Sequence, residues 1–123
     1  MRSEKARFLA VGVAAAVCIM IIVSAFAVAA ETEQVIQITA KRFEYSPKDI
    51  TVKKGVPVVL EFTSLDRLHG FSCPGLGIRS DIPPKKITQL RFVPQKAGTF
   101  PFHCDNFCGG GHEGMTGTIT VTE

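Results

Sequence analysis

Apolar and polar residues alternate through much of the chain beyond residue 30. In VIQITA, Ile36, Ile38 and Ala40 fall on one face, and in DITVKKG, Ile50 and Val52 do so before a turn around Gly55. VPVVLEFT aligns Val56, Val58, Leu60 and Phe62 against Glu61 and Thr63, and KITQLRFV sets Leu90 and Phe92 between Thr88 and Arg91. The last stretch is the cleanest: Met115, Gly117, Ile119 and Val121 alternate with Thr116, Thr118, Thr120 and Thr122. A period of two predicts strands with one buried face, and no stretch here carries a helical period. Breaks fall at Pro47, Gly55, Pro74-Gly75, Pro83-Pro84, Pro94 and Gly98, while Pro57 marks a sheet edge or a strand start. Six to eight short strands in about ninety residues predict an all-β domain, an antiparallel sandwich or small barrel.

The first thirty residues follow a different pattern. Arg2, Lys5 and Arg7 precede an uncharged run from Phe8 to Ala30, FLAVGVAAAVCIMIIVSAFAVAA. A basic start before an apolar stretch is an export signal whose basic end stays in the cytoplasm. The run of 23 residues is long enough for a hydrophobic helix to anchor the chain in the membrane. Ala27-Val28-Ala29 is also a usable cleavage site, so retained anchor and cleaved signal both stand. Cys18 follows the bulky Val17, which argues against a lipidation site, and it reads as one more apolar residue of the segment. The division expected is residues 1–30 as signal or anchor and residues 31–123 as one domain on the extracytoplasmic, periplasmic side.

Charge changes little in this picture. The chain carries a formal +3, but three basic residues and one acidic residue precede position 31, so the domain itself is close to neutral. No basic patch argues for nucleic acid. A domain of this size closes only a marginal core, which a bound metal can help stabilise. It contains Cys73, Cys104 and Cys108, an odd number that a purely structural disulfide framework would not use up.

The densest chemistry lies in CDNFCGGGHEGM, residues 104–115. On a strand through TFPFHC, Phe100, Phe102 and Cys104 share the inward face, and His103 points out. The next strand opens with Met115 on its own inward face, so the loop between them returns its donors to one end of the domain. A disulfide between Cys104 and Cys108 would leave His112 and Met115 unexplained, whereas the joint spacing Cys-x3-Cys-x3-His-x2-Met reads as a metal site. Zinc has little use for a thioether, and a blue-copper centre uses one cysteine, two histidines and a weak methionine. Cys108, His112 and Met115 fit the copper pattern with one histidine missing, and His69 in SLDRLHGFS is the best source of it. Cys73 shares a strand face with His69 but lies about 13 Å along it, and reads as core. Asp66 reads either as a turn residue or as a partner that orients His69.

DRLHGF, VPQKAGTFPFHCDNFCGGGH and GMTGTITV, in this order and spacing, resemble the CuA domain of cytochrome c oxidase subunit II, nearest to the short subunit of the B-type haem-copper oxidases. The resemblance covers residues 34 to 123. It implies a cupredoxin-like Greek-key sandwich or barrel holding two copper ions. It further implies that Cys104 and Cys108 bridge both ions, that His69 and His112 cap one each, and that Met115 and the carbonyl of Asn106 are weak ligands. Two shared thiolates then spread one unpaired electron over both metals, and a rigid cage favours fast electron transfer. The implied partners are a small redox carrier such as cytochrome c, a haem-containing oxidase subunit I, and the membrane through the N-terminal segment. The chain departs from the family in having no tryptophan, so the usual aromatic surface patch for electron entry is replaced at most by Phe43 and Tyr45.

The leading expectation is therefore a one-electron carrier that is no catalyst by itself. The alternatives are a copper-binding or delivery protein and a free-standing periplasmic cupredoxin with one copper.

Overall fold

The computed structural model describes residues 32–123, so the hydrophobic helix expected within residues 1–30, Cys18 and the Ala27-Val28-Ala29 site lie outside the described residues. Nine strands follow one another: β1 (Gln34–Lys41), β2 (Glu44–Ser46), β3 (Asp49–Lys53), β4 (Val58–Ser64), β5 (His69–Cys73), β6 (Ile78–Ile82), β7 (Thr88–Phe92), β8 (Gly98–His103) and β9 (Thr116–Thr122). They form a four-stranded sheet in the order β2-β1-β4-β7 and a five-stranded sheet in the order β3-β9-β8-β5-β6. The all-β sandwich expected from the alternation is thus present. Among the described residues no helix is long and apolar enough to cross a membrane.

Two features of the expectation need correction. Nine strands are present where six to eight were expected, because β2 is only three residues long and β6 (IRSDI) has two charges on its outer face. The sheets are also not purely antiparallel: β1 runs parallel to β4, pairing Ile38 with Phe62, and β3 runs parallel to β9, pairing Ile50 with Ile119. Between β1 and β4 the chain crosses to the other sheet as β3 and comes back, a crossover in place of a hairpin, and alternation alone carries no information about that choice. Pro57 falls just before β4, an interior strand of its sheet, so it marks a strand start. Its missing N–H then costs no ladder bond.

The inner faces meet in one apolar core. Ile38, Ala40, Val58, Leu60 and Phe62 come from the first sheet, and Ile50, Val52, Phe71, Ile82, Phe102, Ile119 and Val121 from the second. Phe71 sits at its centre, with ring centroids 4.9 Å from Phe62 and 4.8 Å from Phe102. Each such buried ring contributes roughly 1.5–3 kcal/mol of apolar burial. The glycine in the last strand has a steric reason: a Cβ on Gly117 would run into the Phe102 ring and the Lys48 carbonyl. Tyr45 is buried in the same core, 5.0 Å from Phe102 in an edge-to-face arrangement, and so corrects the expectation that it lies in a surface patch. Its hydroxyl reaches the Gly70 carbonyl at 2.6 Å, which satisfies the polar tip that burial would otherwise strand.

Candidate metal centre

Two connections meet at one end of the second sheet. One leads from β4 into β5 and ends at His69; the other runs from Cys104, just past β8, to Met115, just before β9. The Cys104 N–H donates to the Met115 carbonyl at 3.1 Å, so the first and last donors of the long loop are tied together by the backbone. Within it, Gly109 has φ of 139°, a left-handed conformation that favours glycine, and the Phe43 ring packs where Cβ atoms of Gly109 and Gly111 would be. A short 3-10 turn, His112–Gly114, then turns the imidazole of His112 back toward Cys108.

The Asp66 turn fixes His69. The Asp66 carboxylate accepts N–H bonds from Arg42 at 2.8 Å and Arg67 at 2.7 Å, and the Ser64 hydroxyl donates to the Arg67 carbonyl. Partial desolvation works to raise the Asp66 acid, but the N–H bond from Arg42, the His69 ring and the Arg67 N–H outweigh it and hold the pKa at about 2. An ionised carboxylate only accepts, so His69 Nε2, 2.6 Å away, is the donor, and in the neutral ring the lone pair is then on Nδ1. His69 is fully buried, and this Nδ1 has no hydrogen-bond partner. A buried lone pair left without a partner is costly unless something else takes it.

That lone pair belongs to a cluster of soft and borderline donors. His69, Cys104 and Cys108 are all buried, and their ligand atoms lie within 4.8 Å of one another. The two sulfurs are 3.8 Å apart and both thiols are free, well beyond the ~2.05 Å of a disulfide. Cys108 Sγ is 3.5 Å from His112 Nδ1 and 3.8 Å from Met115 Sδ. On the other side, Cys104 Sγ is 3.1 Å from the Asn106 carbonyl oxygen and 3.4 Å from the Gly70 N–H. The structure thus gathers His69, Cys104, Asn106, Cys108, His112 and Met115, with His112 and Met115 approaching through Cys108 and Asn106 through Cys104. Burial, and then the neighbouring Cys104, push the Cys108 thiol above its ordinary value. Burial also raises the Tyr45 hydroxyl, helped by Cys104 and Asp105, so it stays protonated and donates to Gly70.

The residues set aside by the sequence lie apart from this cluster. Cys73 is buried at the far end of β5, its sulfur 3.9 Å from the Phe100 carbonyl, and burial raises its pKa. His103 is exposed at the end of β8. Three features at the site were not singled out in the sequence. Phe107, within the ligand loop, is 77% exposed with its ring 5.6 Å from that of His112. Gly70 is needed because a Cβ there would meet the Asp105 carboxylate and lie 3.0 Å from the Asn106 side chain. Arg79 and Asp81 reach this loop from β6. Only the apolar character of Phe107 within a glycine-rich loop could have signalled any of them.

Thiols, imidazoles and a thioether brought together, with an imidazole nitrogen left without a partner, suit copper. The cupredoxin-like domain model matches residues 13–121 of the chain. Cytochrome c oxidase subunit 2 of Thermus thermophilus is 34% identical over 88 residues, 72% of this chain and 65% of that protein, so the match spans less than two thirds of the relative's length. The periplasmic domain of subunit II of cytochrome oxidase (CoxB) of Bradyrhizobium japonicum superposes with a TM-score of 0.68 at 20% identity, covering 78% of this chain and 88% of that one. The metal-binding domain of the Cu(I)-exporting P-type ATPase CopA of Streptococcus pneumoniae D39 superposes with a TM-score of 0.58 at 26% identity, covering 78% and 92%. The domain model and the oxidase subunit 2 relative support the resemblance to a CuA domain of subunit II, and the solved structures share its fold.

Proposed function

The chain belongs to the cupredoxin-like domain family, and we propose that it carries single electrons through a binuclear CuA-type copper centre as a cytochrome c oxidase subunit II-like protein. The observation that carries this reading is the buried His69–Cys104–Cys108 cluster, with ligand atoms within 4.8 Å and His69 Nδ1 unpartnered. Cys104, Cys108, His69 and His112 would hold the coppers as strong ligands, with Met115 Sδ and the Asn106 carbonyl as weak ones. Bound there, the copper would supply one-electron chemistry.

The residues of the chain do the rest. Asp66 holds the His69 ring by Nε2, so Nδ1 is left free to bind a metal. The Cys104–Met115 backbone bond and the packing of Phe43 under Gly109 and Gly111 hold the donors where they are needed in both oxidation states. All the proposed ligands come from the protein, which supports a role as a relay. The export segment supports an extracytoplasmic position, anchored or released. The likeness to oxidase subunit 2 supports a small redox carrier such as cytochrome c as donor and a haem-containing subunit as acceptor.

The likeness to the Cu(I) exporter's metal-binding domain favours one second reading, copper delivery. Mixing the copper-loaded, oxidised chain with reduced cytochrome c separates the two. Stoichiometric oxidation of the cytochrome, with copper retained by the chain, is expected. Electron transfer too slow to detect, together with ready loss of copper to an apo-acceptor, would favour delivery instead.

A further inference from the structure

Arg79 lies on the outer face of β6, yet it contacts the stretch of loop between the two cysteines. Its guanidinium grips the Asp105 carboxylate with two teeth, Nε on Oδ2 and Nη2 on Oδ1 at 3.1 Å. The same Nη2 reaches Asp81 Oδ1 at 2.6 Å, and that oxygen also accepts from Asn106 Nδ2 at 3.0 Å. Asn106 Nδ2 in addition lies 3.4 Å from the His69 carbonyl. Both side chains of the Asp105–Asn106 step are therefore tied to β5 and β6, and Gly70, with no Cβ, lets them lie across the sheet. What remains of that step is its backbone, and the Asn106 carbonyl is turned onto Cys104 Sγ at 3.1 Å.

We propose that Arg79 is a positioning residue for the metal centre: through Asp105, and through Asp81 on Asn106, it sets the distance of the Asn106 carbonyl from the copper site and so tunes the reduction potential. The inference rests on the copper reading above. An exposed ion pair by itself contributes little, but a two-toothed arginine–carboxylate contact inside a network of charges is the case in which geometry is held. A weak oxygen donor favours the more oxidised metal, so a carbonyl free to retreat raises the potential. The charge of Arg79 acts in the opposite sense, because its removal leaves two carboxylates unneutralised near the site and lowers the potential. The two effects separate by substitution, since lysine keeps the charge and loses the fork.

The test uses the full chain, wild type, Arg79→Lys and Arg79→Gln, with and without copper. Copper count, reduction potential and visible spectrum are read on the loaded protein, and amide exchange at residues 106–108 on the copper-free protein. Arg79→Lys is expected to keep the wild-type copper count, raise the potential, shift the thiolate-to-copper absorption, and speed exchange in the loop about threefold or more. Asp105→Asn cuts the same contact from the other side and should loosen the loop equally. An Arg79→Lys protein that matches wild type in potential and exchange, while Arg79→Gln shifts the potential down, would show that Arg79 acts by charge alone and overturn the proposal. Loss of copper from a folded Arg79→Lys variant would also overturn it, since the contact would then build the site and not tune it. If the wild type itself holds one copper or none, the copper reading fails, and exchange in the copper-free protein still decides whether Arg79 holds the loop.

Discussion

Asp66 and His69, three residues apart, share a 2.6 Å bond to Nε2 that leaves the other ring nitrogen without a partner, in a fully buried histidine clustered with two cysteines. The carboxylate both orients the ring and makes it a better donor. Asp66→Asn keeps the shape and removes the charge. It should lower copper affinity about 10–100-fold with the fold intact, as read by competition with a chelator of known affinity. An unchanged affinity would reduce Asp66 to a turn residue.

The raised Cys108 thiol gives copper loading a pH dependence. At neutral pH the copper-free protein holds this proton, and a bridging thiolate must release it. Apparent copper affinity should therefore rise with pH, by about tenfold per unit for each proton released, and fall on acidification. The copper-free fold shows the matching sign. A thiol whose folded pKa lies above the ordinary value of 9.0 contributes stability that is present below 9.0 and lost as pH rises beyond it. Chelator competition and thermal melts at stepped pH measure both, and a flat affinity between pH 5 and about 8 would count against a bridging Cys108.

The weak and strong ligands should separate by substitution. Met115→Leu, a swap of similar volume at a fully buried position, should cost less than about 1.5 kcal/mol of stability and keep both coppers with an altered potential. His69→Ala and His112→Ala each remove a strong donor and should strip copper from a folded chain. His103→Ala, at an exposed position, should behave as wild type. Metal analysis of the four purified variants checks the ranking, and equal damage from His103→Ala would contradict the assignment.

The three described cysteines should divide two to one. Cys104→Ser or Cys108→Ser should abolish the shared two-copper signal, whereas Cys73→Ser should retain it and lose about 1–3 kcal/mol of stability from a buried hydroxyl. Denaturant melts together with electron paramagnetic resonance read both quantities. A folded Cys73→Ser without copper would show that the far end of β5 reaches the site after all.

Much of the fold was legible because a sandwich writes its inward faces into alternate positions. Ile38, Ile50, Leu60, Phe62, Phe102 and Ile119 are buried where the alternation puts them. Partner choice was not legible: β1 beside β4 and β3 beside β9 in parallel are decisions between distant segments, and a period of two is blind to direction. Tyr45 was misplaced because its strand is too short to show a period. That Cys104, Cys108, His112 and Met115 come together was readable because they are local in sequence and their side-chain types are rare. The Arg79–Asp105 contact was not, since the two residues lie 26 positions apart and both are ordinary surface types.

The central claim is that the second thiol makes this a site for two coppers sharing one electron. Its most direct test is a copper count on the loaded chain, taken with the electron paramagnetic resonance spectrum of the same sample. Two coppers per chain and a hyperfine pattern from two equivalent copper nuclei are the predicted result. One copper per chain, with the hyperfine pattern of a single nucleus and a blue-copper absorption spectrum, would contradict the claim and leave a mononuclear cupredoxin.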